Sequence, residues 1–351
     1  MTTTAIRDVL GPLRAQFDDG AGYLAACTAG LPPADSRRAV AADLMARPDP
    51  VRYGRIVEDA RALFAQLIGV SGDRVAIGSQ TSVQLSLIAA SLPDGAEVLC
   101  PAGDFSSLLL PFTHAGRGIT VRTAPLAHLA AAVRPSTHLV VFSLVQSATG
   151  EVADADAIVA AARAAGARTV CDATQAVGWM PVAAAPFDAL VCHAYKWLCA
   201  PRGASFLALS TAFAATLRPV QAGWYAGADP WASCYGGDAE LAGDARRFDV
   251  SPAWQAFVGA EPALRAFAGA DPVALWEYTT GLAAALRTAL GMTPSARPTP
   301  IVTWPDPDGG DLLRLTAAGL VASGRSGRAR VAFHVFNDEA DVARVTGALQ
   351  R

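Results

Sequence analysis

From about residue 74 to residue 209 the chain alternates short, nearly unbroken apolar runs with Ala-rich stretches of helical length. A strand that is apolar on both faces must be covered on both, and the intervening helices supply that cover. The pattern therefore predicts a mostly parallel sheet buried between helical layers. Predicted strands lie at 74–77, 97–100, 119–123, 139–145, 168–171, 189–192 and 204–209, with helices at 79–92 and 154–165. In such sheets ligands gather at the carboxyl ends of the strands. After about Ser251 the pattern changes. A helical stretch at 260–290 is followed by Pro- and Gly-rich turns at 294–307, predicted strands at 312–316 and 330–336, and a closing helix at 339–349. The expected architecture is α/β. A large parallel-sheet domain covers 18–252, and a small α+β domain combines 253–351 with 1–17, which carries a helix at 5–17. No internal repeat is visible.

A chain of 351 residues can bury a large core and exceeds one typical domain. Its net charge of −3 gives no electrostatic case for nucleic acid or an anionic membrane. No apolar run is long enough to span a bilayer, and residues 1–11 lack a basic stretch followed by an apolar one. A cytoplasmic location is expected. The cysteines at 27, 100, 171, 192, 199 and 234 lack the short paired spacing of a zinc site, so no metal is expected.

Lys196 is the only lysine, although Lys and Arg together number 28. Arginine replaces lysine readily wherever a positive charge in water is all that is needed. It cannot replace a desolvated amine that must lose its proton and act as nucleophile or base. The setting Cys192-His193-Ala194-Tyr195-Lys196-Trp197 makes Lys196 a candidate Schiff-base lysine. The alternative is a compositional bias that spared one surface lysine.

Asp172 follows the apolar run Thr169-Val170-Cys171, at the end of a predicted buried strand and 24 residues before Lys196. A carboxylate there is costly unless a cation pairs with it. The protonated ring nitrogen of pyridoxal phosphate is such a cation. Asp172-Ala-Thr-Gln175 also has the form of a capping box, so a helix cap is the structural alternative. A second element, Ile77-Gly78-Ser79-Gln80-Thr81-Ser82, places small hydroxyl residues between a strand and a helix, where free N–H groups cradle anions or are simply capped.

Together these segments resemble the class V branch of fold-type I pyridoxal-phosphate enzymes, which includes cysteine desulfurases, kynureninases and hercynylcysteine sulfoxide lyases. Asp172-Ala-Thr-Gln175-Ala-Val-Gly178 is similar to the branch's D-x-x-Q-x-x-G segment, implying Asp172 on the pyridine nitrogen and Gln175 on the ring hydroxyl. Tyr195-Lys196 resembles the Tyr-Lys pair of kynureninases, implying a Schiff base at Lys196 with Tyr195 and His193 toward the phosphate. Lys196-Trp-Leu-Cys-Ala-Pro-Arg-Gly203 resembles the sulfoxide-lyase branch.

The resemblance further implies a phosphate cradle at Ser79, Gln80 and Thr81, a ring-stacking loop at Asp104 and Phe105, and a cofactor-facing loop that includes Thr149. Trp224 and Ser251 fall in segments that reach a neighbouring subunit's site, implying a homodimer with composite active sites. Arg330, in Arg330-Val-Ala-Phe333, would capture a substrate α-carboxylate with its planar fork. Thr28 and Ala29, in a loop that also holds Cys27, would close over it. One departure is plain: desulfurases carry a nucleophilic cysteine on a loop before this strand, and residues 302–330 contain none. The implied activity is a pyridoxal-phosphate-dependent lyase acting on an amino acid, by β-elimination or by C–S or C–C cleavage. A class V aminotransferase or racemase would use the same residues. Outside enzymes, a non-catalytic cofactor-binding partner subunit is the competing reading.

Overall fold

The computed structural model describes residues 3–349. Its ten strands are β1 (Val75–Gly78), β2 (Glu97–Pro101), β3 (Thr120–Ala124), β4 (Thr137–Ser143), β5 (Arg168–Asp172), β6 (Ala189–His193), β7 (Ser205–Leu209), β8 (Ile301–Pro305), β9 (Ser323–Arg325) and β10 (Arg328–Ala332). Seven form one sheet in the order β1-β7-β6-β5-β4-β2-β3. Strands β6, β5, β4, β2 and β3 run parallel, and β7 is antiparallel to both β6 and β1. The predicted strands of the large sheet are all present, with ends shifted by one or two residues.

Because side chains alternate across a strand, the two faces of this sheet enter different cores. Leu139 and Val141 join Val98, Val170, Val191 and Leu207 on one face. Val140 and Phe142 join Leu99, Cys171, Cys192 and Phe206 on the other. Helices Thr81–Ser91 and Ser106–Thr113 cover the first face through Leu85, Ile88, Leu108 and Phe112. Helices Pro50–Leu67, Ala155–Ala165 and Trp254–Ala268 cover the second through Phe64, Ile158 and Phe257. Each such side chain contributes about 1.5–3 kcal/mol on leaving water. Among the described residues no helix is long and apolar enough to cross a membrane.

The second sheet is antiparallel, in the order β8-β10-β9. Between β9 and β10 the chain turns in two residues, Ser326 (φ 51°) and Gly327 (φ 69°). Positive φ at both positions belongs to the hairpin turn whose twist matches the flanking strands. The predicted strand at 312–316 is instead a helix, Gly310–Ala317. Asp306 decides this, since its carboxylate accepts the N–H groups of Asp311 and Leu312 at 3.0 Å each and so caps the first turn. Strand β8 lies inside the stretch expected to be turns. It is an edge strand, where Pro305 removes no needed hydrogen bond.

One buried ion pair fastens the chain after Asp244 to the large sheet. Arg61 donates to Asp249 at 2.6 and 3.2 Å, and Asp249 Oδ1 accepts the Ile77 N–H of β1 at 2.7 Å. Removing the carboxylate leaves Arg61 buried with only the half-exposed Glu58 opposite it. Asp249→Ala is expected to lower stability by about 3 kcal/mol in urea unfolding. A loss below about 1 kcal/mol would show that the pair is dispensable.

Candidate active site

The carboxyl ends of β1, β2, β4, β5 and β6 open onto one cavity of about 290 Å³. Each strand end delivers a side chain to it: Gln80, Thr81 and Ser82 after β1, Phe105 after β2, Ser143 on β4, Asp172 on β5 and His193 on β6. The loop after β6 adds Tyr195 and Lys196.

Lys196 is only 5% exposed and Asp172 only 6%. Burial pushes the Lys196 amine down to about 8, against the opposing pull of the Asp172 charge. Burial also raises the Asp172 carboxyl, while its hydrogen bond from the Thr174 N–H at 2.8 Å and the Lys196 charge act the other way. A deeply placed carboxylate and a readily neutralised amine therefore share one cavity.

The segments bearing these groups are locked together. Gln175 Oε1 accepts the Trp197 indole N–H at 2.7 Å, and Gln175 Nε2 donates to the Cys27 carbonyl and to Ser147 Oγ, both at 2.9 Å. Gln175 lines the cavity, and both its N–H bonds go to the walls. Gly178 has φ 110°, and a Cβ there would lie 2.5 Å from the Trp197 carbonyl oxygen. Only glycine allows the two segments to come this close. On the far side, His334 Nε2 lies 3.0 Å from the same oxygen while its Nδ1 accepts the Val335 N–H at 2.8 Å. That pairing assigns the Nε2–H tautomer, and burial holds His334 neutral, its pKa pushed down to about 4.

Helix Thr81–Ser91 begins at the cavity without a side-chain cap from Gln80, leaving its first N–H groups beside the Thr81 and Ser82 hydroxyls. Ser79 does not line the cavity, and Ser82, not singled out from sequence, does. His193 is neutral, its pKa lowered to about 4 chiefly by burial, and its Nε2 accepts the Gly203 N–H at 3.4 Å. Asp104 stands behind the wall, accepting from Ser143 Oγ (2.7 Å), Ser143 N (3.1 Å) and Phe105 N (2.7 Å). It positions Phe105, whose ring centroid is 5.2 Å from Lys196 Nζ.

Arg330 sits on β10, the central strand of the small sheet, and is fully buried. Its fork donates to Ser147 (to Oγ at 3.0 Å and to the carbonyl), to Thr28 Oγ1 at 2.7 Å and to Ser323 Oγ at 3.1 Å. Among the described residues no carboxylate pairs with it. Thr28 and Ser147 line the cavity, so this uncompensated cation stands at its wall. Cys27 lines it too.

Besides Ser79 and Asp104, four further expected site residues lie away from the cavity lining. Thr149 lines a separate cavity with Arg287 and Arg297, because a tight turn closed by Gly150 N to Gln146 O at 2.8 Å folds it away while Ser147 faces inward. Ala29 directs its carbonyl to the Tyr23 hydroxyl at 2.7 Å. Trp224 packs on Trp231 at 5.2 Å between ring centroids, and Ser251 is exposed on the surface. Among the cavity residues that sequence reading gave no role are two cations, Arg202 and Arg325. Arg202 lies in the quoted Lys196–Gly203 segment, where no role was assigned to it, whereas Arg325 belongs to no quoted motif and only the folded register brings it to the site.

The aminotransferase class-V family profile matches residues 50–299. An isopenicillin N epimerase of Amycolatopsis lactamdurans is 32% identical over 185 residues, covering 47% of this chain and 46% of that protein. A probable cysteine desulfurase of Aeropyrum pernix is 35% identical over 140 residues, 36% of this chain and 34% of that one. The matches thus span less than half the length of these curated relatives. Among solved structures, a cysteine desulfurase of Escherichia coli superposes with a TM-score of 0.83 at 18% identity, covering 97% of each chain. A cystine C–S lyase in complex with cysteine persulfide does so at 0.82 and 18% identity, covering 93% of this chain and 96% of that one. These likenesses place the seven-stranded sheet and its smaller companion in fold type I. The chain belongs to the aminotransferase class-V family, whose cofactor is pyridoxal phosphate.

Proposed function

We propose that the chain is a pyridoxal-phosphate-dependent lyase that acts on an amino acid and releases its β-substituent, foremost a sulfur-linked one. The observation that carries this reading is the pairing of a neutralisable amine inside one cavity (Lys196) with a buried guanidinium directly behind its wall that has no carboxylate of its own among the described residues (Arg330). An α-amino acid has an α-proton for the first and a carboxylate for the second.

The residues present fit the cofactor. Lys196 would hold its aldehyde carbon and Asp172 its ring nitrogen. The uncapped helix start at Thr81 and Ser82, with His193 and Tyr195, would hold its phosphate, and Phe105 would face its ring. When bound, pyridoxal phosphate supplies an electron sink for charge developing at the substrate's α-carbon. Asp172, kept from water, holds the proton on the ring nitrogen. Arg330, its fork aimed by Thr28 and Ser147, fixes the substrate carboxylate and so the direction of the Cα–H bond. Lys196 Nζ, neutral above pH about 8, takes that proton as general base. Overall, a cysteine conjugate and water give pyruvate, ammonium and a free thiol. The cysteine-free stretch 302–330 argues against transfer of that sulfur to a thiol on that loop and so favours its release. A homodimer belongs to the same reading: Trp224 and Ser251 lie outside this chain's own cavity and are free to meet a second copy's.

The isopenicillin N epimerase relatives support a second reading, racemisation at the same α-carbon. Incubation with an amino-acid and cysteine-conjugate panel separates the two. Pyruvate plus ammonia marks elimination, the mirror-image substrate alone marks racemisation, and a keto acid with pyridoxamine phosphate marks transamination.

Two outcomes are expected at Lys196. Borohydride reduction of the holoenzyme should fix the cofactor to Lys196 alone, seen by peptide mass spectrometry, and Lys196→Ala should carry no reduced adduct. In the apoprotein, the lowered pKa means the free amine is lost as pH falls below about 8. The rate of adduct formation should therefore rise from pH 6 to 8 and level off above it. A continued rise to pH 10 would show an ordinary, solvated lysine.

A further inference from the structure

Around the cavity, cationic side chains outnumber carboxylates. Asp172 is the only carboxylate among the lining residues, against Lys196, Arg202 and Arg325, with Arg330 directly behind. Arg202 stands at one end, its guanidinium 5.1 Å from the Tyr195 ring centroid and its charge felt by His193. It thereby faces the groups assigned to the phosphate. Arg325 and Arg330 meet at Thr28, each donating to its Oγ1. No carboxylate among the described residues lies within ion-pairing distance of any of these three arginines.

Strand register puts Arg325 on the face that carries Arg330, together with Arg328, which turns to Thr303 and the separate cavity. In the small sheet Ser323 pairs with Arg330 and Arg325 with Arg328. Directly paired residues share a face, and so do residues two apart along a strand. Arg325 and Arg330 are thus diagonal neighbours on the same face, bridged only by Thr28 Oγ1, at 3.4 Å from one and 2.7 Å from the other. Like charges this close repel, and the Arg325 charge adds to burial in disfavouring the charged form of Arg330. One α-carboxylate satisfies Arg330, which leaves Arg325, exposed at the mouth of the cavity, without an anion.

We propose that Arg325 is a specificity-determining residue that selects amino acids whose side chain ends in a second anionic group, a carboxylate foremost. This rests on the amino-acid substrate reading above, with Arg330 on the α-carboxylate. The tight turn at Ser326-Gly327 fixes Arg325 relative to Arg330, so the two guanidiniums measure the separation of the substrate's two anions. A neutral side chain leaves Arg325 facing Arg330 without relief, whereas an acidic one pairs with it.

The test is a titration of the holoenzyme with L-glutamate and its neutral isostere L-glutamine at constant ionic strength, following the cofactor absorbance to obtain each Kd. L-Glutamate is expected to bind about 10- to 100-fold more tightly, the worth of a charge-assisted hydrogen-bonded pair. Arg325→Met should bring that ratio close to one, and Arg325→Glu should move the preference to L-ornithine. A ratio near one in the parent protein overturns the proposal. So does an Arg325→Met variant that weakens both ligands by the same factor, because Arg325 then only reinforces Arg330 on the α-carboxylate. Neither ligand has a β-leaving group, so the ratio is read without elimination. A holoenzyme that discriminates as expected yet releases no pyruvate or ammonia from any cysteine conjugate sinks the lyase reading and supports this one.

Discussion

Withdrawal of one amine and one carboxylate from water, at the ends of adjacent parallel strands, is the constraint on which the rest of the structure depends. Neither Lys196 nor Asp172 is tolerable alone at such depth, since each would be a buried charge without compensation. Together they lower each other's cost, and burial leaves the lysine close to its neutral form. Parallel strands make this arrangement available, because β5 and β6 end on the same side of the sheet and deliver Asp172 and the loop after His193 to one place. An antiparallel neighbour would send one of them to the opposite edge.

The surrounding network keeps that pair in register. Gln175 ties the strand-β5 loop to Trp197, to the Cys27 loop and to Ser147. Ser147 in turn accepts from Arg330. A single amide thus connects the lysine segment to the guanidinium at the cavity wall through contacts that are all buried or nearly so. In such a network each bond is costly to leave unmade, which favours one arrangement of the walls.

Much of this was legible in the sequence, and the reasons separate cleanly. The strands of the large sheet were legible because burial on both faces demands unbroken apolar runs. Lys196 was legible because only chemistry distinguishes lysine from arginine in an arginine-rich chain, and Asp172 because a carboxylate at the end of such a run needs a reason. The helix Gly310–Ala317 was not, because its Leu-rich run has the length of a strand and its cap is the earlier Asp306. Thr149 was misplaced because a turn closed by Gly150 reverses the direction in which its side chain points. Gln175 found partners distant in sequence, at Cys27 and Trp197, and these no local motif reveals. Arg325 depends on cross-strand pairing with β10, a property of the register and not of its neighbours in the chain.

The two-residue turn at Ser326-Gly327 has a consequence for how this protein can change. Side chains alternate along a strand, so adding or deleting one residue in β9 would rotate Arg325 onto the opposite face. The hairpin can therefore drift by substitution but not by single insertions or deletions. A lengthened loop in its place would cost little in closure entropy, yet would surrender the fixed spacing between two guanidinium groups. Diversification of this site is confined to exchanges of side chain on a backbone of constant length.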